Sequence, residues 1–185
     1  MTVIAGKVES DKIVIGSDSQ VTHGWHSKDL VDDGKLMVLP DLIIGGAGAS
    51  SHNNYMSIYL ENHKPRSSQR RDVLEFFVEF HQWIDKMIKD FKPRNSWLLA
   101  YDGKLISTTA DLNVEHHEWW AVGSGFEYAR SALHLGHTVE EAIQTACDLT
   151  VFCGPPVVVR ELPLDTRPAK PSGRSGRRAP RSNGS

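Results

Sequence analysis

Across residues 69–91 apolar side chains recur every three or four positions: Val73, Phe76, Phe77, Phe80, Trp83, Ile84, Met87, Ile88 and Phe91. That period lays them along one side of a helix, which Lys92-Pro93 ends. The sequence around it supplies strands. Residues 2–8 and 12–18 are β-rich runs split by Glu9-Ser10-Asp11, which predicts a hairpin at the very N-terminus. A second pair, 36–39 and 42–45, is split by Pro40-Asp41 and leaves through Gly45, Gly46 and Gly48. A third pair, 97–101 and 104–108, flanks Asp102-Gly103, a strong hairpin signal. Further helices are expected over 50–63, 126–135 and 139–152, and further strands over 118–122 and 156–162. Strands and helices are thus segregated rather than alternating, which points to a layered α+β protein and not to repeated β-α-β units.

Composition sets the outer bounds. The chain has 185 residues, 39% hydrophobic and 24% charged, with a net charge of −2. It is long enough to bury a core unaided. No apolar run approaches the roughly 18 residues of a membrane-spanning helix. The first residues lack the basic and apolar regions of a secretion signal. Cys147 and Cys153 do not make a disulfide framework and suit a reducing compartment, so a cytoplasmic location is expected. Charge divides the chain unequally. Residues 1–165 hold 15 basic and 23 acidic side chains, while 166–185 hold six basic ones and no acid. The expected organisation is therefore one domain over 1–165 and a basic, Pro/Gly/Ser-rich disordered tail over 166–185.

The first chemical candidate is Thr2. Met1 precedes a small residue and is expected to be removed, leaving Thr2 with a hydroxyl and a free α-amine. Such an amine titrates at about 7.7–8.0, so it can serve as a base for its own hydroxyl near neutral pH. Asp18, in Ser17-Asp18-Ser19-Gln20, ends the second strand of the N-terminal hairpin and can lie beside the first. Lys35 opens the next strand. A lysine beside the amine favours its neutral form, and Asp18 can hold that lysine. The Gly45-Gly46-Ala47-Gly48 turn leads into a helix and can aim N–H groups at an oxyanion. Gly123-Ser124-Gly125 sits between a strand and a helix, with a hydroxyl able to relay a proton.

Taken in order, these segments resemble the proteasome β-type subunits, and within them the HslV-like peptidases, of the N-terminal-nucleophile hydrolases. The matching text is Thr2-Val3-Ile4-Ala5-Gly6, Val14 to Gly24, Lys35, Ile43 to Gly48, Val122 to Ala129, Ala142-Ile143, Ala146 to Leu149 and Glu161-Leu162. The resemblance implies a four-layer αββα sandwich of two antiparallel sheets between helix layers. It implies Thr2 as nucleophile and base, Asp18 and Lys35 tuning it, Ser124 assisting proton transfer, and Gly48 N–H as oxyanion donor. It implies a homo-oligomeric ring acting on polypeptides, with an AAA+ unfoldase as a partner, and no required cofactor. A monovalent cation such as Na⁺, held by the backbone carbonyls of Cys147, Thr150 and Cys153, is implied more weakly, because Cys153-Gly154-Pro155-Pro156 departs from the family text.

Other departures are Ser51-His52 in place of an Ala-Asp pair, Trp25-His26 and Asp32-Asp33 ahead of Lys35, and the basic tail. His23-x-x-His26 and His134-x-x-His137 have metal-like spacing without a third ligand nearby. Trp119-Trp120 reads as a half-buried edge strand. The leading reading is a threonine-type endopeptidase. The alternatives are an amidase acting on small amides and a catalytically silent scaffold. Nucleic-acid binding rests on the tail alone and is not expected.

Overall fold

The structure is a computed structural model that describes residues 1–23, 27–30 and 35–164, with backbone alone for 22–23 and 27–30. Its strands are β1 (Val3–Val8), β2 (Lys12–Ser17), β3 (Gln20–His23), β4 (Ser27–Leu30), β5 (Leu36–Leu39), β6 (Leu42–Ala47), β7 (Ser96–Tyr101), β8 (Lys104–Thr108), β9 (Val114–His117), β10 (Trp119–Gly123) and β11 (Val158–Pro163). Its helices are α1 (Ser50–Leu60), α2 (Arg70–Asp85), α3 (Phe126–His134) and α4 (Val139–Leu149). A four-stranded sheet runs β10-β1-β2-β11, a five-stranded sheet runs β5-β6-β7-β8-β9, and β3-β4 form a small ribbon. All the strand pairings are antiparallel.

Three apolar seams hold the layers together, and the period-2 pattern of the strands assigns residues to them. On β1, Ile4 points into the seam between the sheets, while Val3 and Ala5 point to α3 and α4. On β6, Ile43 enters the same inter-sheet seam, while Leu42 and Ile44 face α1 and α2. On β7, Leu98 and Ala100 face the other sheet, and Trp97, Leu99 and Tyr101 face the helices. Strands covered on both faces are apolar on both faces, which is why these runs read as nearly continuous hydrophobic text. The layer order is therefore αββα: α1 and α2, five strands, four strands, α3 and α4.

The turns follow their sequences. Asp102 and Gly103 have φ of +46° and +69°, the pair of left-handed residues that closes a two-residue hairpin. Thr138 caps α4: its hydroxyl accepts the Glu141 N–H at 3.2 Å, and Glu141 accepts the Thr138 N–H at 2.8 Å.

Three helices are shorter than their apolar periods, and of these the expected span 50–63 is helical only over Ser50–Leu60. The stripe over 69–91 is helical only through Asp85. Met87 and Ile88 both donate to Ile84 O at 2.8 Å, and Asp90 takes φ +60°. The chain turns there, so Ile88 and Phe91 still pack on the core while Met87 is 52% exposed. The pattern over 139–152 stops at Leu149, because Thr150 is extended and its hydroxyl takes the Phe152 N–H at 3.2 Å. The strand β9 was not anticipated. Val114-Glu115-His116-His117 has little β-character, and it is ordered by pairing with β8 and by His117, which stacks on Trp120 at 4.1 Å. The β3-β4 ribbon was not anticipated either. Trp119 and Trp120 lie half-buried on edge strand β10, with the Arg130 guanidinium 3.7 Å above the Trp120 ring. Trp25, His26, Asp32, Asp33 and the tail 166–185 lie outside the described residues. Among the described residues no helix is long and apolar enough to cross a membrane.

Candidate active site

The register of β1 against β2 sets Ile4 opposite Ser17. Thr2, just ahead of β1, and Asp18, just behind β2, are thereby brought side by side. Asp18 has no exposed surface. Its Oδ1 accepts the Val3 N–H at 2.9 Å, and its Oδ2 accepts the N–H groups of Gly154 at 3.2 Å and Gln20 at 3.3 Å. Lys35 Nζ completes the set at 2.8 Å from Oδ1. A buried carboxylate is tolerable only with such partners. Lys35 is fixed in turn by its own N–H, which donates to Ser17 Oγ at 3.2 Å, and its Nζ donates to the Met1 carbonyl oxygen at 2.9 Å.

Thr2 is 6% exposed. Its N–H donates to Ser124 Oγ at 3.2 Å, and its carbonyl accepts the Gly125 N–H at 3.4 Å. Gly123 makes this approach possible. It has φ +97°, and a Cβ there would lie 2.2 Å from Thr2 O and 3.0 Å from Ala47 Cβ. The same contact joins the two sheets: Thr2 of one and Ala47 of the other both close on Gly123. Thr2 is thus bonded to Ser124 and Lys35 to Asp18, and the two pairs are joined through the Met1 carbonyl and the Val3 N–H, while Ala47 of the second sheet approaches at Gly123 and leads directly to Gly48.

With Met1 attached, the Thr2 nitrogen is an amide, a donor without basicity. Burial, and then the charge of Lys35, hold the Met1 amine below its ordinary value of 8.0. The same influences act on any amine brought to this place.

Sequence reasoning missed the groups that hold the glycine turn. Asn95, 2% exposed, accepts the Ala49 N–H at 2.7 Å, and its Nδ2 donates to Ala49 O at 3.2 Å and to Asn53 Oδ1 at 2.9 Å. Asn53 Nδ2 donates to Gly46 O at 2.9 Å. Nothing in Pro-Arg-Asn-Ser marks Asn95 before the sheet forms.

Cys147 lies in α4, Thr150 is its C-cap, and Cys153 is buried in the turn beyond. Carbonyl oxygens at the C-terminal end of a helix suit a cation in their chemistry. One oxygen of this stretch, Val151 O, already takes the Gln20 Nε2 proton at 3.0 Å. Burial, and then the charge of Asp18, push the Cys147 thiol up to about 11 and the Cys153 thiol up to about 12. Neither is a thiolate at neutral pH. Among the described residues no group of three or more His, Cys, Asp or Glu could hold a metal ion. His137 instead approaches Glu141 at 3.4 Å.

No protein-family model matches the sequence. Solved structures do match its fold. Thiobacillus denitrificans BPH in complex with epoxomicin is 16% identical, with a TM-score of 0.79 over 88% of this chain and 98% of that one. Another structure of Thiobacillus denitrificans BPH is 17% identical, with a TM-score of 0.78 over 90% of this chain and 100% of the other. Eukaryotic HslV from Trypanosoma brucei is 22% identical, with a TM-score of 0.68 over 87% and 99%. The chain has the proteasome- and HslV-like fold of the N-terminal-nucleophile hydrolases, an αββα sandwich with two antiparallel sheets.

Proposed function

We propose that this chain, once Met1 is removed, is a threonine-type endopeptidase with Thr2 as its nucleophile. One observation carries the reading: Ser124 Oγ and Lys35 Nζ converge on the Met1–Thr2 peptide, with the Asp18 carboxylate holding Lys35 and the next peptide N–H, that of Val3. When that peptide is cut, the Thr2 amine is left 3.2 Å from Ser124 Oγ and beside Lys35. The lysine cation favours the neutral amine, which is the form able to accept a proton.

Thr2 Oγ attacks the carbonyl carbon of a bound peptide, and its proton passes to the α-amine, with Ser124 in position to relay it. The carbonyl oxygen becomes an oxyanion and is met by Gly48 N–H. Collapse expels the leaving amine with the proton from the α-amine, leaving an ester on Thr2. Water, deprotonated by the same amine, hydrolyses the ester and restores the hydroxyl. A monovalent cation at the oxygens of Cys147, Thr150 and Cys153 would, when bound, brace the turn whose Gly154 N–H reaches Asp18. No step runs through it.

The reading extends to a homo-oligomeric ring in the cytoplasm, acting on polypeptides with an AAA+ unfoldase as partner. It takes support from the fold shared with eukaryotic HslV and from the resemblance of the sequence to that family. The second reading is a silent scaffold, favoured by the bond from Lys35 Nζ to the Met1 carbonyl, which occupies the site while Met1 remains.

Intact mass spectrometry decides between them, with and without epoxomicin, the compound bound to a Thiobacillus denitrificans neighbour. The expected result is a chain lacking Met1 that gains one adduct mapping to Thr2. A chain that keeps Met1 and does not react overturns the peptidase reading.

A further inference from the structure

We propose that Asn95 is a positioning residue that aims the Gly48 N–H, with Asn53 as its brace. The inference rests on the peptidase reading and adds to it the device that pre-orients the oxyanion donor.

Gly45, Gly46 and Ala47 are held in β6 by its pairing with β7, and the chain leaves the sheet at Gly48 and Ala49. Ala49 is the N-cap of α1 and offers no side-chain hydrogen bond. Its neighbour Gly48 has φ +149°. A turn of this composition, at the exit of a strand, is free to take other conformations. Asn95 removes that freedom. It directly precedes β7, and the register Ala47↔Ser96 sets it across from Gly48. Its side-chain amide then pairs with both the N–H and the C=O of Ala49, as a neighbouring strand would.

The glycines record the closeness of this support. A Cβ on Gly48 would lie 2.2 Å from Asn95 Oδ1 and 2.8 Å from Arg94 O. A Cβ on Gly46 would lie 2.2 Å from Asn53 Oδ1 and 2.4 Å from the Trp97 ring. The Gly-Gly-Ala-Gly turn rests on two side-chain amides and one indole, and no larger residue fits over them. Asn95 is nearly fully buried and spends its amide on the N–H and C=O of Ala49, which belong to the peptides on either side of that residue, and on Asn53, which holds Gly46 O in turn. Asn95 thus fixes the peptides on both sides of Ala49, Asn53 and the β6–β7 pairing fix the chain up to Ala47, and Gly48, held between them, keeps one direction for its N–H. Pre-organised donors gain their effect from needing no reorganisation as charge develops.

The test is steady-state hydrolysis of a fluorogenic peptide by the Met1-free, assembled protein, comparing wild type with Asn95→Ala and Asn53→Ala. Asn95→Ala is expected to lower kcat by about 10²-fold, within reach of the loss of an oxyanion donor, while KM moves little. The pH at which the acid limb of kcat/KM falls should stay where it is, because Thr2, Lys35 and Asp18 are untouched. Asn53→Ala keeps the bond to the Ala49 N–H and is expected to lower kcat by roughly tenfold. It answers the question if Asn95→Ala does not fold. Wild-type turnover with kcat unchanged in whichever variants fold overturns the role of Asn95 and leaves the peptidase reading standing. A fall in kcat that comes with a shifted acid limb overturns it too, since the nucleophile's own surroundings would then have moved. A Met1-free wild type with no turnover on any peptide sinks the peptidase reading itself, and this proposal with it.

Discussion

Asp18 carries a full set of partners and has no exposed surface, and that makes its neighbour indispensable. Removing Lys35 leaves a buried carboxylate held by three backbone N–H groups and no cation. Lys35→Met is expected to destabilise the fold by about 3–5 kcal/mol, read as a lower denaturant midpoint, and to abolish turnover. A variant as stable as wild type would mean the pair does not hold the site together. The two cysteines give a second residue-scale prediction. With thiols at about 11 and about 12, both stay protonated at pH 8. Iodoacetamide should leave buried Cys153 unmodified in the native protein and alkylate it in denaturant. Rapid native labelling of Cys153 contradicts that environment.

At the scale of elements, α2 separates what a period predicts from what a helix is. Phe80 is 1% exposed in the seam under α1 and α2, and Phe80→Ala is expected to cost about 3–5 kcal/mol. Met87 belongs to the same period but falls beyond the helix and is half exposed. Met87→Ala should change stability by about 0.5 kcal/mol or less. Similar losses from the two variants would mean the helix continues past Asp85. The segment after α2 also carries Phe91 against His52 and His81, with ring centroids at 4.8 and 5.9 Å. Burial, and then the Arg94 charge, lowers the His52 pKa from 6.5, and burial followed by His52 lowers that of His81. The unfolded chain therefore binds these protons at a higher pH than the folded one. The stability they contribute is complete above about pH 6.5 and is lost as the pH falls below it. Thermal midpoints should drop from pH 7.5 to pH 5, and drop less in His81→Gln. Equal drops in both proteins would take these imidazoles out of the account.

At the scale of the whole molecule, the site exists only because two sheets face each other. Thr2, Asp18 and Ser124 come from the four-stranded sheet and its edges, and Gly48 comes from the five-stranded one. Gly123 is where they touch. Much of this was legible beforehand. Hairpins and helix stripes are local patterns, written in periods of two and of three to four, and their segregation announced a layered α+β protein. The order Thr2, Asp18, Lys35, Gly48, Ser124 could be read because each sits beside a local landmark: a strand end, a strand start or a glycine turn. The end of α2, the strand β9 and the Asn95 clamp could not. Each depends on a partner far away in sequence: Phe91 folding back on His52, His117 stacking on Trp120, and Asn95 crossing to Ala49. The sequence by itself determined the helices, the hairpin strands and the apolar faces, because those follow from neighbours a few residues apart. Only the tertiary structure decided where helices stop and which side chains share a hydrogen bond, because those are settled by packing between segments that meet only once the chain has folded.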